Sequence, residues 1–178
     1  MTAIFETSRL RARRFQPEDA ARLYGIHLDG EVKRWIPNET YEDEAEAAEA
    51  AEYFAGCVDA GELPYVLAVE LKAGGELIGD AGVNGVEGRP GEVEIGFVIA
   101  REHRGQGLAA ELAEAMTAFA VRTFGVSVLW GRVMKGNDAS VRVLEKCRYR
   151  FVREETGAED DPWGNGMLVY RRDGQVPD

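Results

Sequence analysis

The chain has 178 residues, 45% apolar and 30% charged, with 32 carboxylates against 21 Lys and Arg for a net charge of −11; this is globular composition whose sign counts against nucleic acid as a main partner and suits a cationic substrate such as an amine. No apolar run approaches the roughly 18–20 residues of a membrane span, and "MTAIFETSRLRARRF" has neither the apolar core nor the cleavage site of a signal peptide. Cys57 and Cys147 imply neither a disulfide framework nor a zinc site, so the expectation is a cytoplasmic protein of one domain, residues 1–178, without a metal.

"SRLRARRF" alternates as a strand does, with Leu10, Ala12 and Arg14 on one face and Arg9, Arg11 and Arg13 on an exposed other. Pro17 opens a helix in "QPEDAARLYGIHL", with Glu18 and Asp19 in its first turn, where the helix dipole favours acid. Thr40 begins a second helix through a T-x-x-D approximation to a capping box. There Ala47, Ala51, Phe54 and Val58 recur at helical spacing, Glu42, Glu46 and Glu49 take another face, and the end falls near Gly61. "PYVLAVEL" and "ELIGDAGV", separated by "KAGG", read as a β-hairpin.

"EVEIGFVIA" is the next strand, and Gly96 in its interior predicts a bulge or a close backbone approach. A helix over 107–124 carries Leu108, Leu112, Ala115 and Phe119 on one stripe. "VSVLWGRVM" follows as a strand, "NDASVRVLEKC" as a short helix, and "YRFVRE" and "GMLVYRR" as two closing strands. The order predicts an α/β (α+β) fold, a mixed sheet of about seven strands with helices on both faces, and the central strand–helix unit as its ligand site.

That unit contains "RGQGLA", residues 104–109. The first turn of a helix has N–H groups without intrahelical partners and a partly positive dipole end, and glycines let these donors approach an anion closely. A pyrophosphate is the expected ligand. The stretch is not a P-loop, because no Lys-Ser or Lys-Thr follows a suitable glycine. Nor does it suit a dinucleotide fold, since it follows an antiparallel meander and no acidic residue ends the next strand to hold a ribose.

Arg104-Gly-Gln-Gly107-Leu-Ala109 fits R/Q-x-x-G-x-G/A, and the chain here resembles the GCN5-related N-acetyltransferases (GNAT). "TSRLRARRFQPEDAARLY", "EIGFVIAREHRGQGLAAELAEAM" and "NDASVRVLEK" are similar, in order and spacing, to the RimJ/RimL-type branch, which acetylates ribosomal-protein N-termini. The resemblance implies a GNAT fold, mostly antiparallel, with the sheet splayed at a bulge in the cofactor strand. It implies acetyl-coenzyme A as co-substrate, its pantetheine arm on the backbone of Phe97, Val98 and Ile99, and an N–H near Val98 polarising the thioester carbonyl. The pyrophosphate would sit on the N–H groups of Arg104, Gly105, Gln106, Gly107, Leu108 and Ala109, with the Arg104 side chain adding charge. Asn137 would touch the cofactor near its acetyl end and also cap the following helix.

Acetyl transfer is direct attack by a neutral amine on the thioester, so a base or a water path must take a proton and an acid can serve the departing thiolate. The tyrosine that many relatives carry seven residues after the Asn is replaced here by Leu144, and the resemblance points to Ser140 instead. Glu94 on the splayed strand and Glu159 in "EETGAEDDPWGNG" are the candidate bases; Glu94 needs partial burial to raise its pKa. Trp35, Tyr41, Trp163 and His27 are candidates for the acceptor wall, whereas His103 beside the turn reads as solvent-facing. Arg148 stands where relatives carry a helix-capping Gly, which predicts a different helix ending.

The expected activity is acetyl transfer from acetyl-coenzyme A to a primary amine, either a small molecule or a protein N-terminus, with the acidic helix over 42–52 favouring a cation. The fold is compatible with a homodimer. The alternative is a non-catalytic acyl-coenzyme A sensor, for which the absent tyrosine speaks.

Overall fold

A computed structural model describes residues 2–175. One eight-stranded sheet runs through it in the order β1-β2-β3-β4-β5-β6-β8-β7. The strands are β1 (Ala3–Glu6), β2 (Leu10–Arg13), β3 (Tyr65–Leu71), β4 (Leu77–Gly85), β5 (Glu92–Ile99), β6 (Val128–Met134), β7 (Arg150–Glu155) and β8 (Met167–Asp173). All pairings are antiparallel except β5 with β6. The expected count of seven omitted β1, a four-residue edge strand too short to show a period.

The helices are α1 (Ala20–His27), α2 (Gly30–Trp35), α3 (Glu44–Ala60), α4 (Leu108–Phe124) and α5 (Asp138–Lys146). On one face of the sheet Leu112, Met116 and Ala120 of α4 bury against Leu67, Ile78 and Ile95. On the other, Leu23 and Ile26 of α1 and Ala47, Ala51 and Ala55 of α3 bury against Ala68, Leu77 and Val98. Alternation along β5 therefore sends Val93, Ile95 and Ile99 to the α4 side and Val98 to the α1 side.

Three local expectations are corrected. Arg13 is buried rather than exposed: its guanidinium grips both oxygens of Asp19 (2.8 and 2.9 Å) and Glu70 Oε2 (2.8 Å), so the arginine face of β2 is partly interior. The cap of α3 is Asp43, whose carboxylate accepts from Glu46 N–H at 2.8 Å, while the Thr40 hydroxyl is turned back to the Pro37 carbonyl. The end of α5 keeps the ordinary left-handed cap with Arg148 at φ 64°. Arg148 N–H donates to the Glu145 carbonyl (3.0 Å) and Tyr149 N–H to that of Leu144 (2.9 Å), and burial of Tyr149 behind the cap holds the arginine there.

Candidate active site

Strand β5 has two unlike edges. Toward β4 its register is unbroken from Gly79 opposite Ile99 to Gly85 opposite Val93. Ala100 N–H donates to the Ile78 carbonyl (2.7 Å) and Val86 N–H to that of Glu92 (3.4 Å), which sets the phase of the ladder. Only alternate residues of an antiparallel ladder exchange backbone bonds with the residue opposite. Gly96 and Val98 are thus turned to β4, and the N–H and C=O groups of Ile95, Phe97 and Ile99 face the other edge. There β6 pairs only with Glu92, Val93 and Glu94 before leaving along β8.

The splay is therefore present without the expected bulge. It arises because β6 follows β8 over its whole length, and Gly96 marks only open space, with no atom within 4 Å of where its Cβ would stand. Val98 N–H is committed to the ladder, so the N–H groups near it that face the other edge are those of Phe97 and Ile99.

Beyond Ile99 a 3-10 turn, Arg101–His103, leads to Gly105 (φ 76°) and Gly107 (φ 78°), backbone angles that favour glycine. Among the described residues the N–H groups from Gly105 to Ala110 have no backbone acceptor; Glu111 N–H then closes the first helical bond on the Gly107 carbonyl at 3.2 Å. Arg104 N–H is not free, since it donates to Arg101 (3.3 Å). Nor is the Arg104 side chain a loose charge: Nε donates to the Ile99 carbonyl (2.9 Å) and Nη1 lies 2.7 Å from Asp29 Oδ2. A bare nest of donors at the start of a 17-residue helix suits a pyrophosphate, and the free edge of β5 suits an amide-bearing arm.

Sequence reasoning missed what holds this nest. Arg9, in the β1–β2 turn, donates through Nη1 to the Gln106 carbonyl (2.8 Å) and through Nε to Glu111 Oε2 (2.7 Å). Glu111 also accepts from the Thr7 hydroxyl and Arg9 N–H. Partial burial works against its charge, but these bonds outweigh it and hold its pKa down at about 2. No local pattern joins residues 9 and 106.

The nest opens into a groove of about 420 Å³, walled by every expected cofactor residue except Gln106. A larger cavity of about 800 Å³ adjoins it, sharing Trp35, Ile36, Phe97, Asn137 and Ser140. All three catalytic candidates, Glu94, Ser140 and Glu159, line this cavity. Asn137 and Ser140 stand at the junction, bonded to each other: Asn137 Nδ2 donates to Ser140 Oγ (3.1 Å) and Asn137 Oδ1 accepts Ser140 N–H (3.4 Å) as the cap of α5. Leu144, which stands in place of the relatives' tyrosine, lines the wall, and no tyrosine is among the lining residues.

Glu39 is a further carboxylate in the cavity that sequence reasoning did not single out. It ends a 3-10 turn, Pro37–Glu39, whose only sequence mark is its proline. Water reaches it, yet protein surrounds it; that loss of bulk solvent, with Asp80 and Glu94 nearby and His27 opposing, pushes its pKa up to about 7. Burial likewise raises Glu94, with Arg132 pulling the other way and Asp160 and Glu155 adding to the rise. His27 lies under the wall rather than on it, 2% exposed. It donates from Nδ1 to the Glu39 carbonyl and from Nε2 to Asp80 Oδ2 (2.7 Å).

Trp35 walls the cavity, but Tyr41 packs on the His27 ring and Trp163 is exposed. His103 is turned inward, 16% exposed, with Nε2 3.2 Å from Glu76 Oε2. The acidic face of α3 contributes nothing to the cavity; its acid comes from Glu39, Glu94, Glu159 and Asp160.

Comparison with known proteins agrees with this geometry. A family profile described as "Acetyltransferase (GNAT) domain" matches residues 9–150. An uncharacterized N-acetyltransferase of Bacillus subtilis, YoaA, is 27% identical over 150 residues, 84% of each chain. A GNAT-family acetyltransferase from Bacillus anthracis superposes with a TM-score of 0.82 at 19% identity, covering 95% of this chain and 97% of that one. RimL, a ribosomal L7/L12 alpha-N-protein acetyltransferase solved in complex with coenzyme A, superposes at 0.79 with 15% identity, covering 97% and 98%.

Proposed function

The chain belongs to the GNAT acetyltransferase family, and from that premise we propose that it transfers acetyl from acetyl-coenzyme A to a primary amine by direct attack in a ternary complex. One observation carries the reading: an edge of β5 that β6 leaves unpaired beyond Glu94 runs into a nest of N–H groups without backbone acceptors and borders a cavity lined with carboxylates. Acetyl-coenzyme A supplies the activated thioester. The donors from Gly105 to Ala110 hold its pyrophosphate, the edge groups of Phe97 and Ile99 orient its arm, and one of their N–H groups stabilises negative charge on the thioester oxygen. Asn137 and Ser140 close the junction, and the Ser140 hydroxyl protonates the departing sulfur. A cavity carboxylate, Glu94, Glu159 or Glu39, takes the proton that the amine must lose.

The sensor alternative draws support only from Leu144. Unpaired carboxylates in the second cavity favour turnover, because a protein that only senses the cofactor has no use for them. Calorimetric titration with acetyl-coenzyme A tests the reading: micromolar binding to the wild type, lost in Gly107→Trp, is expected, with thiol release once an amine is added. No binding to the wild type would overturn it.

A further inference from the structure

The walls of the larger cavity are unequal in charge. Arg132 is its only basic lining residue, and that guanidinium is already occupied: Nη2 donates to Asp160 Oδ1 (3.1 Å) and Glu155 Oε2 (3.2 Å). Among the described residues the carboxylates of Glu39, Glu94 and Glu159 have no hydrogen-bond or ion-pair partner. They come from different elements, the turn after α2, the cofactor strand and the loop between β7 and β8. Glu94 shares the face of β5 that carries Val98, and Asp80 opposite Val98 reaches His27, which ties down the Glu39 backbone. Glu94 is thus fixed in the sheet, and the Glu39 backbone is anchored while its side chain stands exposed at the cavity rim.

The reaction itself requires a charge balance there. A primary amine enters as an ammonium, and one cavity carboxylate removes its first proton. The nitrogen lone pair then forms the N–C bond, the C–S electron pair leaves with sulfur, and the second nitrogen proton ends on that sulfur. Amide, thiol and one released proton result. After the first step one carboxylate is neutral and the others remain charged in a cavity with no free cationic side chain, so their mutual repulsion carries a cost. A second cation on the acceptor removes that cost. A carboxylate beside the amine adds to it, so α-amino acids are poor fits.

Resting on the acetyltransferase reading, we propose that the acceptor is an amine bearing a second cationic centre, with Glu39 and Glu94 as its two recognition groups. The test is calorimetry on the coenzyme A-saturated protein at neutral pH, titrating α,ω-diamines from diaminopropane to diaminooctane, the matching monoamines, and the matching amino acids. At least one diamine binds at least about tenfold tighter than its monoamine, and the amino acids bind more weakly than either. Glu39→Gln and Glu94→Gln each erase most of the diamine's advantage while coenzyme A affinity, the control for folding, is retained. If no diamine exceeds its monoamine, or an amino acid binds best, the proposal is overturned. Failure to bind coenzyme A at all would instead overturn the acetyltransferase reading.

Discussion

Arg9 Nη1 donates to the Gln106 carbonyl at 2.8 Å across 97 residues of sequence, fastening the turn between the first two strands to the back of the phosphate nest. The bond turns a carbonyl away from the ligand side of a glycine turn, where its oxygen would repel an anion. Nη2 of the same guanidinium lies 3.6 Å from where a Cβ on Gly107 would stand, so the arginine also backs the second glycine.

Arg9→Ala is therefore expected to weaken acetyl-coenzyme A binding by about tenfold. Because the side chain is 46% exposed, the fold should lose under about 1 kcal/mol. Calorimetry and thermal melts on the same preparation separate the two; unchanged affinity would mean that the turn holds its own shape.

Glu39, with its pKa near 7, predicts a pH profile. A base works deprotonated, so kcat/KM with a diamine should climb as the pH rises through about 7 and level off above. Glu94→Gln removes a neighbouring negative charge and should move that limb to lower pH. A limb that persists unmoved in Glu39→Gln would assign it to another group.

The His27–Asp80 pair predicts a pH dependence of stability. Burial disfavours the imidazolium, but the Asp80 charge and hydrogen bond outweigh it and leave the His27 pKa raised. Protonated His27 thus stabilises the fold fully below its ordinary value of 6.5, and the contribution is lost as the pH rises through the raised folded value. Thermal melts from mildly acid to mildly alkaline pH should decline in the wild type and flatten in Asp80→Asn.

Arg13→Met leaves Asp19 and Glu70 buried without their shared cation. The expected loss is about 3–5 kcal/mol, read from denaturant unfolding. A loss below about 1 kcal/mol would mean that the carboxylates find water.

Arg148→Gly should stabilise by about 1 kcal/mol, since the helix cap at φ 64° strains any residue with a Cβ. Chemical denaturation reads this directly, and a destabilised variant would show that the arginine side chain contributes more than its backbone costs.

Much of this molecule was legible locally. The glycine turn announced itself by two residues at fixed spacing before an amphipathic run, and both adopt the left-handed angles for which glycine is suited. Ser140, Glu94 and Glu159, scattered along the sequence, share one cavity. Glu39 was not found, because nothing within "PNET" distinguishes it from a solvated turn residue.

Sequence alone determined which segments become strands and helices, β1 and α2 excepted, and where an anion can be held, because period, capping and glycine angles are properties of neighbouring residues. Tertiary structure decided what those pieces do together. The divergence of β5 from β6 follows from the pairing of β6 with β8, a strand about forty residues further on. The ladder phase, not composition, assigns the free N–H groups to Phe97 and Ile99. The chemistry of the cavity depends on which charges already have partners: Arg132 and Asp160 cancel, whereas Glu39, Glu94 and Glu159 remain. Charge balance in a confined space is a sum over residues distant in the chain, and only the fold performs that sum.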